Sequence, residues 1–188
     1  ARFTFIAMII LVLAWSMSEI SRELHTADFL IASLGDSLPA SALPATIFVL
    51  AAFTAFSTGS SWGAMGILLP LVLPLCWAIM NSQGLAGPEG HHILYASVSG
   101  VLAGAVWGDH CSPISDTTVM SSLSAGCDHM EHVRTQLPYA VLAGAAALFC
   151  GTVPTSLGLP WWAGMLLAAA VTALGLRLLG EPVEDYRP

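Results

Sequence analysis

Residues 108–118 read Gly-Asp-His-Cys-Ser-Pro-Ile-Ser-Asp-Thr-Thr. Two carboxylates (Asp109 and Asp116), an imidazole (His110), a thiol and four hydroxyls (Ser112, Ser115, Thr117 and Thr118) stand together in this stretch. The uncharged run ILYASVSGVLAGAVW precedes it and the mostly apolar VMSSLSAG follows. A charged group in a bilayer core costs at least about 2.5–3.5 kcal/mol, so carboxylates between apolar walls are functional candidates by default. The surrounding oxygens suit a hard cation such as Na⁺ or Li⁺ rather than a soft metal. Desolvation makes a carboxylate hold its proton, and a nearby cation makes it let go. One such group therefore exchanges a proton for a cation, which is the minimal chemistry of antiport. His110 can tune that exchange, because imidazole changes charge near neutral pH.

A second polar stretch, Ser-Thr-Gly-Ser-Ser-Trp-Gly at 57–63, offers Ser57, Thr58, Ser60 and Ser61. Simple alternatives stand beside these readings. Asp109, Asp116 and Ser115 are all placed to cap half-helices. His110 can be a structural hydrogen-bonder, and Trp62 and Trp107 read as packing plugs before they read as substrate platforms.

The elements that position these residues follow from composition. The chain has 188 residues, 56% hydrophobic and 9% charged, with five arginines, no lysine and a net charge of −7. Membrane solvent is the natural reading, against a soluble helical bundle. The acidic balance argues against nucleic acid, whose phosphates need cationic partners. The cysteines show no CxxC spacing and read as small buried residues rather than a disulfide framework. Residues 3–18 form a first span, and 19–40 an interfacial segment.

As one helix, residues 42–80 would run about 58 Å, against a hydrocarbon core of about 30 Å. They must therefore turn, and a re-entrant helical hairpin with its tip at 57–63 fits better than two ordinary spans. Backbone left unpaired at such a tip has to face protein or water. Residues 93–125 form a helix interrupted at 108–118, because Pro113 lacks an N–H and disfavours helix at Ser112. Gly100, Gly104 and Gly108 make a small-residue stripe that admits a close neighbour helix. Residues 126–136 form an exposed connector, and 137–154 and 159–179 two further spans. The expected fold is all-α and polytopic: about five spans or half-spans, with the hairpin and the interrupted helix, in one membrane domain over 1–188.

A different class of function competes at 127–132. Cys127, His129 and His132 are residue types that bind zinc, as in a membrane metalloenzyme, but the spacing is not HExxH and a wet loop is the simpler reading.

FSTGSSWGAMGILLPL (56–71), GAVWGDHCSPISDTTVMSS (104–122) and AGCDHMEHVRTQLPYA (125–140) closely resemble the C-terminal half of NhaC-type Na⁺/H⁺ antiporters, and WSMSEISRELHTADFL (15–30) is also similar. The resemblance covers most of residues 3–157. It implies a secondary transporter rather than an enzyme, in the cytoplasmic (inner) membrane, built from two inverted repeats with a re-entrant hairpin and an interrupted helix in each. It further implies Na⁺ (or Li⁺) and H⁺ as the transported ions, with no cofactor and no metal beyond Na⁺. The matching positions are Ser57, Thr58, Ser60, Asp109, His110, Ser112, Ser115, Asp116, Thr117 and Thr118. Asp109 and Asp116 are the expected exchanging carboxylates and the others supporting ligands. Some family members exchange malate for lactate with Na⁺ and H⁺, and that is the alternative activity; a structural membrane subunit is another. On this reading the chain is the C-terminal repeat of a longer transporter. Its partners are the lipid bilayer and the N-terminal repeat, or a second copy that rebuilds the site.

Overall fold

A computed structural model describes residues 39–180, together with Val12, Ser16, Ile20, Glu23 and Leu24. Nearly all of the expected span at 3–18 and of the 19–40 segment lies outside the described residues. Among the described residues there are six helices and no strands: α1 (Leu43–Thr58), α2 (Ser61–Ser82), α3 (His91–Cys111), α4 (Asp116–Ala125), α5 (His129–Ala146) and α6 (Trp161–Leu179). Beyond Ala146, α5 runs on through a π-helical stretch, Ala147–Thr152, into a last turn at Val153–Ser156. Among the described residues, four stretches are long and apolar enough to cross a membrane: Ala40–Thr58, Ser61–Ser82, His129–Ser156 and Trp161–Leu178. The architecture is that of an all-α polytopic membrane protein.

Local chemistry explains where the helices stop. The turn between α1 and α2 is shorter than the expected 57–63. Ser57 and Thr58 finish α1, and only Gly59 and Ser60 leave the helix. Gly59 adopts φ +66°, the left-handed conformation that ends helices, and the Ser60 hydroxyl accepts from the Gly63 N–H to start α2. The interruption is likewise narrower than 108–118, spanning Ser112 to Ser115. Ser115 caps α4 by accepting from the Thr117 N–H at 3.2 Å.

The expected connector at 126–136 shrinks to three residues, and this overturns the loop reading. Gly126, at φ +65°, closes α4, and Asp128 opens α5 by accepting from the Glu131 N–H. The charges of DHMEH thus decorate a helix start rather than a loop. Pro138 lies inside α5, a placement that membrane helices tolerate.

The core lies where α1 and α2 pack on α3. Ile47, Ala51 and Ala55 of α1 meet Leu68, Val72 and Ile79 of α2 and Val101 and Ala105 of α3. The closest seam is α1 against α3. A Cβ on Gly100 would sit 2.8 Å from the Pro44 carbonyl oxygen. On Gly104 and Gly108 it would run into the carbonyls of Phe48 and Ala52. Glycines every four residues on α3 therefore ride over carbonyls every four residues on α1, as small-residue membrane packing requires. Outward faces remain strongly apolar, with Phe53, Phe149, Trp161 and Leu166 all exposed. Such area suits lipid or other protein rather than water.

Candidate functional site

The glycine seam leads straight to the polar residues. Its next member, four residues beyond Gly108, is Ser112, and its next carbonyl, four beyond Ala52, is Phe56. The buried Ser112 hydroxyl donates to the Phe56 carbonyl oxygen at 2.8 Å. A few residues further along, Gly59 packs against the backbone of Ile114, whose carbonyl oxygen would lie 2.7 Å from an added Cβ. The two polar interruptions thus touch through main-chain atoms.

Asp109 sits at their junction, only 3% exposed. Its Oδ1 accepts from the Ser115 hydroxyl at 2.8 Å. Its Oδ2 accepts from the Thr117 hydroxyl at 3.1 Å and, at 3.5 Å, from Ser61 on the first turn of α2. Ser115 and Thr117 hydroxyls are themselves 2.8 Å apart. Hydrogen bonds to a carboxylate are charge-assisted, so this set offsets much of the cost of burying Asp109. Thr118 is also buried, and its hydroxyl has no partner among the described residues. Five side-chain oxygens, from one carboxylate and three hydroxyl groups, converge within hydrogen-bond reach. Hydroxyl rotors can turn either a proton or a lone pair inward, so the same group accommodates a bare carboxylate or one with a cation beside it.

The other expected site residues lie around this centre without joining it. Asp116 is the first residue of α4 and is exposed. His110 is exposed, its Nδ1 2.9 Å from the Val106 carbonyl oxygen. Ser57 and Thr58 are exposed on the last turn of α1, and Thr58 spends its hydroxyl on the Thr54 carbonyl. Ser60 caps α2. Ser61, from the same hydroxyl-rich stretch, is the hairpin residue that reaches the carboxylate.

Sequence reading missed the splint behind the break. Ending α3 frees backbone carbonyls, and one face of α5 supplies partners for them. Gln136 donates from Nε2 to the His110 carbonyl oxygen at 2.7 Å. The His129 Nε2 lies 2.7 Å from the Pro113 carbonyl oxygen. In return, the Trp107 indole N–H donates to the Ala140 carbonyl at 2.7 Å, and its ring stacks on Phe48 and covers Gly144. Positions 129, 136, 140 and 144 form one helical stripe. The only available signal was that spacing, hidden while 126–136 read as a loop.

The fold does not support the zinc alternative. Among the described residues no three His, Cys, Asp or Glu side chains are grouped to hold a metal ion. His129 has both ring nitrogens engaged, Nε2 as above and Nδ1 3.1 Å from the Ser122 hydroxyl. The Cys127 thiol contacts the Ser122 carbonyl oxygen instead. The cysteine reading also changes: Cys76 is buried, Cys111 and Cys150 are half-buried, and Cys127 is exposed. Trp107 is a packing plug, whereas Trp62 is 78% exposed among the described residues.

Comparison with known proteins places the chain among membrane antiporters. An uncharacterized protein of Haemophilus influenzae is 45% identical over 140 residues, 74% of this chain and 25% of the relative. A protein of the same organism named an uncharacterized Na⁺/H⁺ antiporter is 34% identical over 56% of this chain and 21% of its own length. The malate-2H⁺/Na⁺-lactate antiporter of Bacillus subtilis is 30% identical over 61% of this chain and 19% of its own length. The chain thus spans about a quarter or less of the curated relatives it matches. No solved structure matches it at a significant level. The model of the Na⁺/H⁺ antiporter family matches residues 2–153, and the chain belongs to that family.

Proposed function

We propose that this chain forms one repeat of a Na⁺/H⁺ antiporter of the cytoplasmic membrane, with Asp109 as the group that carries either a proton or a Na⁺ ion. The observation that carries the reading is the buried carboxylate with hydroxyls of Ser115, Thr117 and Ser61 directed at it. When Asp109 is protonated, its O–H donates to one of those hydroxyls and the group is neutral. When Na⁺ arrives, the proton leaves, the carboxylate binds the ion, and the hydroxyls rotate to offer lone pairs. Asp116, at the start of α4, gains from the positive end of that helix as an anion and serves as the second carboxylate on the ion's route. Ser57, Thr58, Ser60, His110, Ser112 and Thr118 line the same junction as supporting groups. The second repeat of a longer transporter supplies the opposite wall, and lipid covers the apolar outer faces.

The direct test is Na⁺-driven proton flux in vesicles holding the whole transporter, wild type against Asp109→Asn. Asn keeps the size and two hydrogen-bonding atoms but binds no exchangeable proton, so flux should vanish. Flux at the wild-type rate would remove Asp109 from the exchange.

Exchange of organic acids with Na⁺ and H⁺ is the second reading, favoured by the named activity of the Bacillus relative. A carboxylate substrate wants an arginine, and none lies within either polar stretch. Malate and lactate added to the same vesicles should leave the flux unchanged if only cations are exchanged.

A further inference from the structure

The face of α5 that splints the break carries one titratable group in contact with it, and the hydrogen bonds of that group can be counted proton by proton. We propose that His129 is a proton-responsive positioning residue for the Asp109 site, holding the break through the Pro113 carbonyl. The inference rests on the antiport reading only where it concerns transport.

Three short contacts meet at this point. The His129 Nε2 lies 2.7 Å from the Pro113 carbonyl oxygen, and its Nδ1 lies 3.1 Å from the Ser122 hydroxyl oxygen. That hydroxyl in turn lies 2.8 Å from the Val119 carbonyl oxygen, to which it donates. Carbonyl oxygens accept only, and a hydroxyl has one proton to give. With the imidazole charged, every contact is satisfied: Nε2–H donates to Pro113, Nδ1–H donates to the Ser122 oxygen, and the Ser122 proton goes to Val119.

With the imidazole neutral, the set cannot be completed. If the proton stays on Nε2, then Nδ1 and the Val119 carbonyl compete for the single Ser122 proton. If it stays on Nδ1, two lone pairs face each other between Nε2 and Pro113. One contact of three is lost on deprotonation. The clamp is therefore tightest when the ring is charged and slackens as pH rises.

The position gives this a consequence. Pro113 is followed by Ile114, which packs on the Gly59 turn, and by Ser115, which donates to Asp109. A change at the Pro113 carbonyl is thus two residues from the carboxylate's shortest hydrogen bond. Other titratable groups stand on the neighbouring elements. Asp109, His110 and Cys111 end α3, and Asp116 starts α4. Cys127, Asp128, Glu131 and His132 flank the ring on its own segment, and Asp128 spends its carboxylate on the Glu131 N–H. None of these makes a hydrogen bond to the His129 ring; His132 has a buried Nε2 with no partner among the described residues and is the natural control.

The test uses the 188-residue chain, ¹⁵N-labelled, in lipid nanodiscs, from roughly pH 5 to 8, where histidine changes charge. The amide signals of Ile114 and Ser115 should move with the same midpoint as the His129 ring signals. In His129→Gln the side chain still has an N–H for Pro113 but nothing to titrate, so those amides should stay put. His132→Gln should leave their titration intact. Amides that ignore pH in the wild type, or titrate unchanged in His129→Gln, overturn the proposal. The wild-type measurement decides even if the variant fails to fold. In vesicles of the whole transporter, the ratio of flux at acid and alkaline pH should change about 2- to 10-fold in His129→Gln, the worth of one net hydrogen bond. Absent wild-type flux with intact amide titration would sink the antiport reading and spare this one; intact flux without amide titration would do the reverse.

Discussion

The Ser112 hydroxyl and the Phe56 carbonyl oxygen, 56 residues apart in the chain, lie 2.8 Å apart in the fold. This bond joins the end of the hairpin's first arm to the start of the break in α3. In Ser112→Ala the fold should lose about 1 kcal/mol, as expected for a hydrogen bond between membrane helices. Unfolding in mixed detergent should read that loss directly.

The glycine seam predicts a steeper cost. Gly104→Ala and Gly108→Ala each press a methyl into a backbone carbonyl of α1 that cannot rotate away. Overpacking of this kind costs about 1–3 kcal/mol. Gly87→Ala, which meets nothing within 4 Å, is the control and should unfold like the wild type.

Gly59→Ala combines two penalties: a left-handed backbone and contact with the Ile114 carbonyl. We expect at least about 1 kcal/mol of destabilisation from the conformation alone. Because the contact is with the break, the apparent Na⁺ affinity of the whole transporter should fall as well. Unchanged affinity beside lowered stability would uncouple the turn from the site.

Removing the hydroxyls around Asp109 should rank by distance. Ser115→Ala (2.8 Å) should weaken Na⁺ exchange most, Thr117→Val (3.1 Å) next and Ser61→Ala (3.5 Å) least. Ser115→Ala also removes the cap of α4, worth about 1 kcal/mol of stability. Measuring the KM for Na⁺ alongside thermal stability separates the two effects. The opposite order in KM would displace Asp109 from the centre of the site.

Much of this was legible in the residues. The apolar runs, Pro113 and the hydroxyl-rich 57–63 stretch mark helices and interruptions by local chemistry alone. The glycine spacing marks a close seam, though not its partner, because which carbonyls lie beneath is a tertiary fact. The two aspartates look equivalent in sequence, and folding separates them: Asp109 faces the seam at the end of one helix, while Asp116 starts the next on its outer side. The connector misled because acidic and imidazole side chains read as solvated loop, yet here they cap and start a helix. Gln136 and His129 acquired their partners only once that helix laid them along the break.

The seam between α1 and α3 also sets a length scale. Small residues return over carbonyls only after four residues, about 6 Å of sliding. Any lesser slip drives a carbonyl toward a larger side chain and breaks the Ser112 bond at the end of the row. For small excursions the two helices therefore travel as one rigid body. The spacing between the Gly59 turn and Asp109 is preserved wherever that body goes, so the pocket wall is carried rather than dismantled.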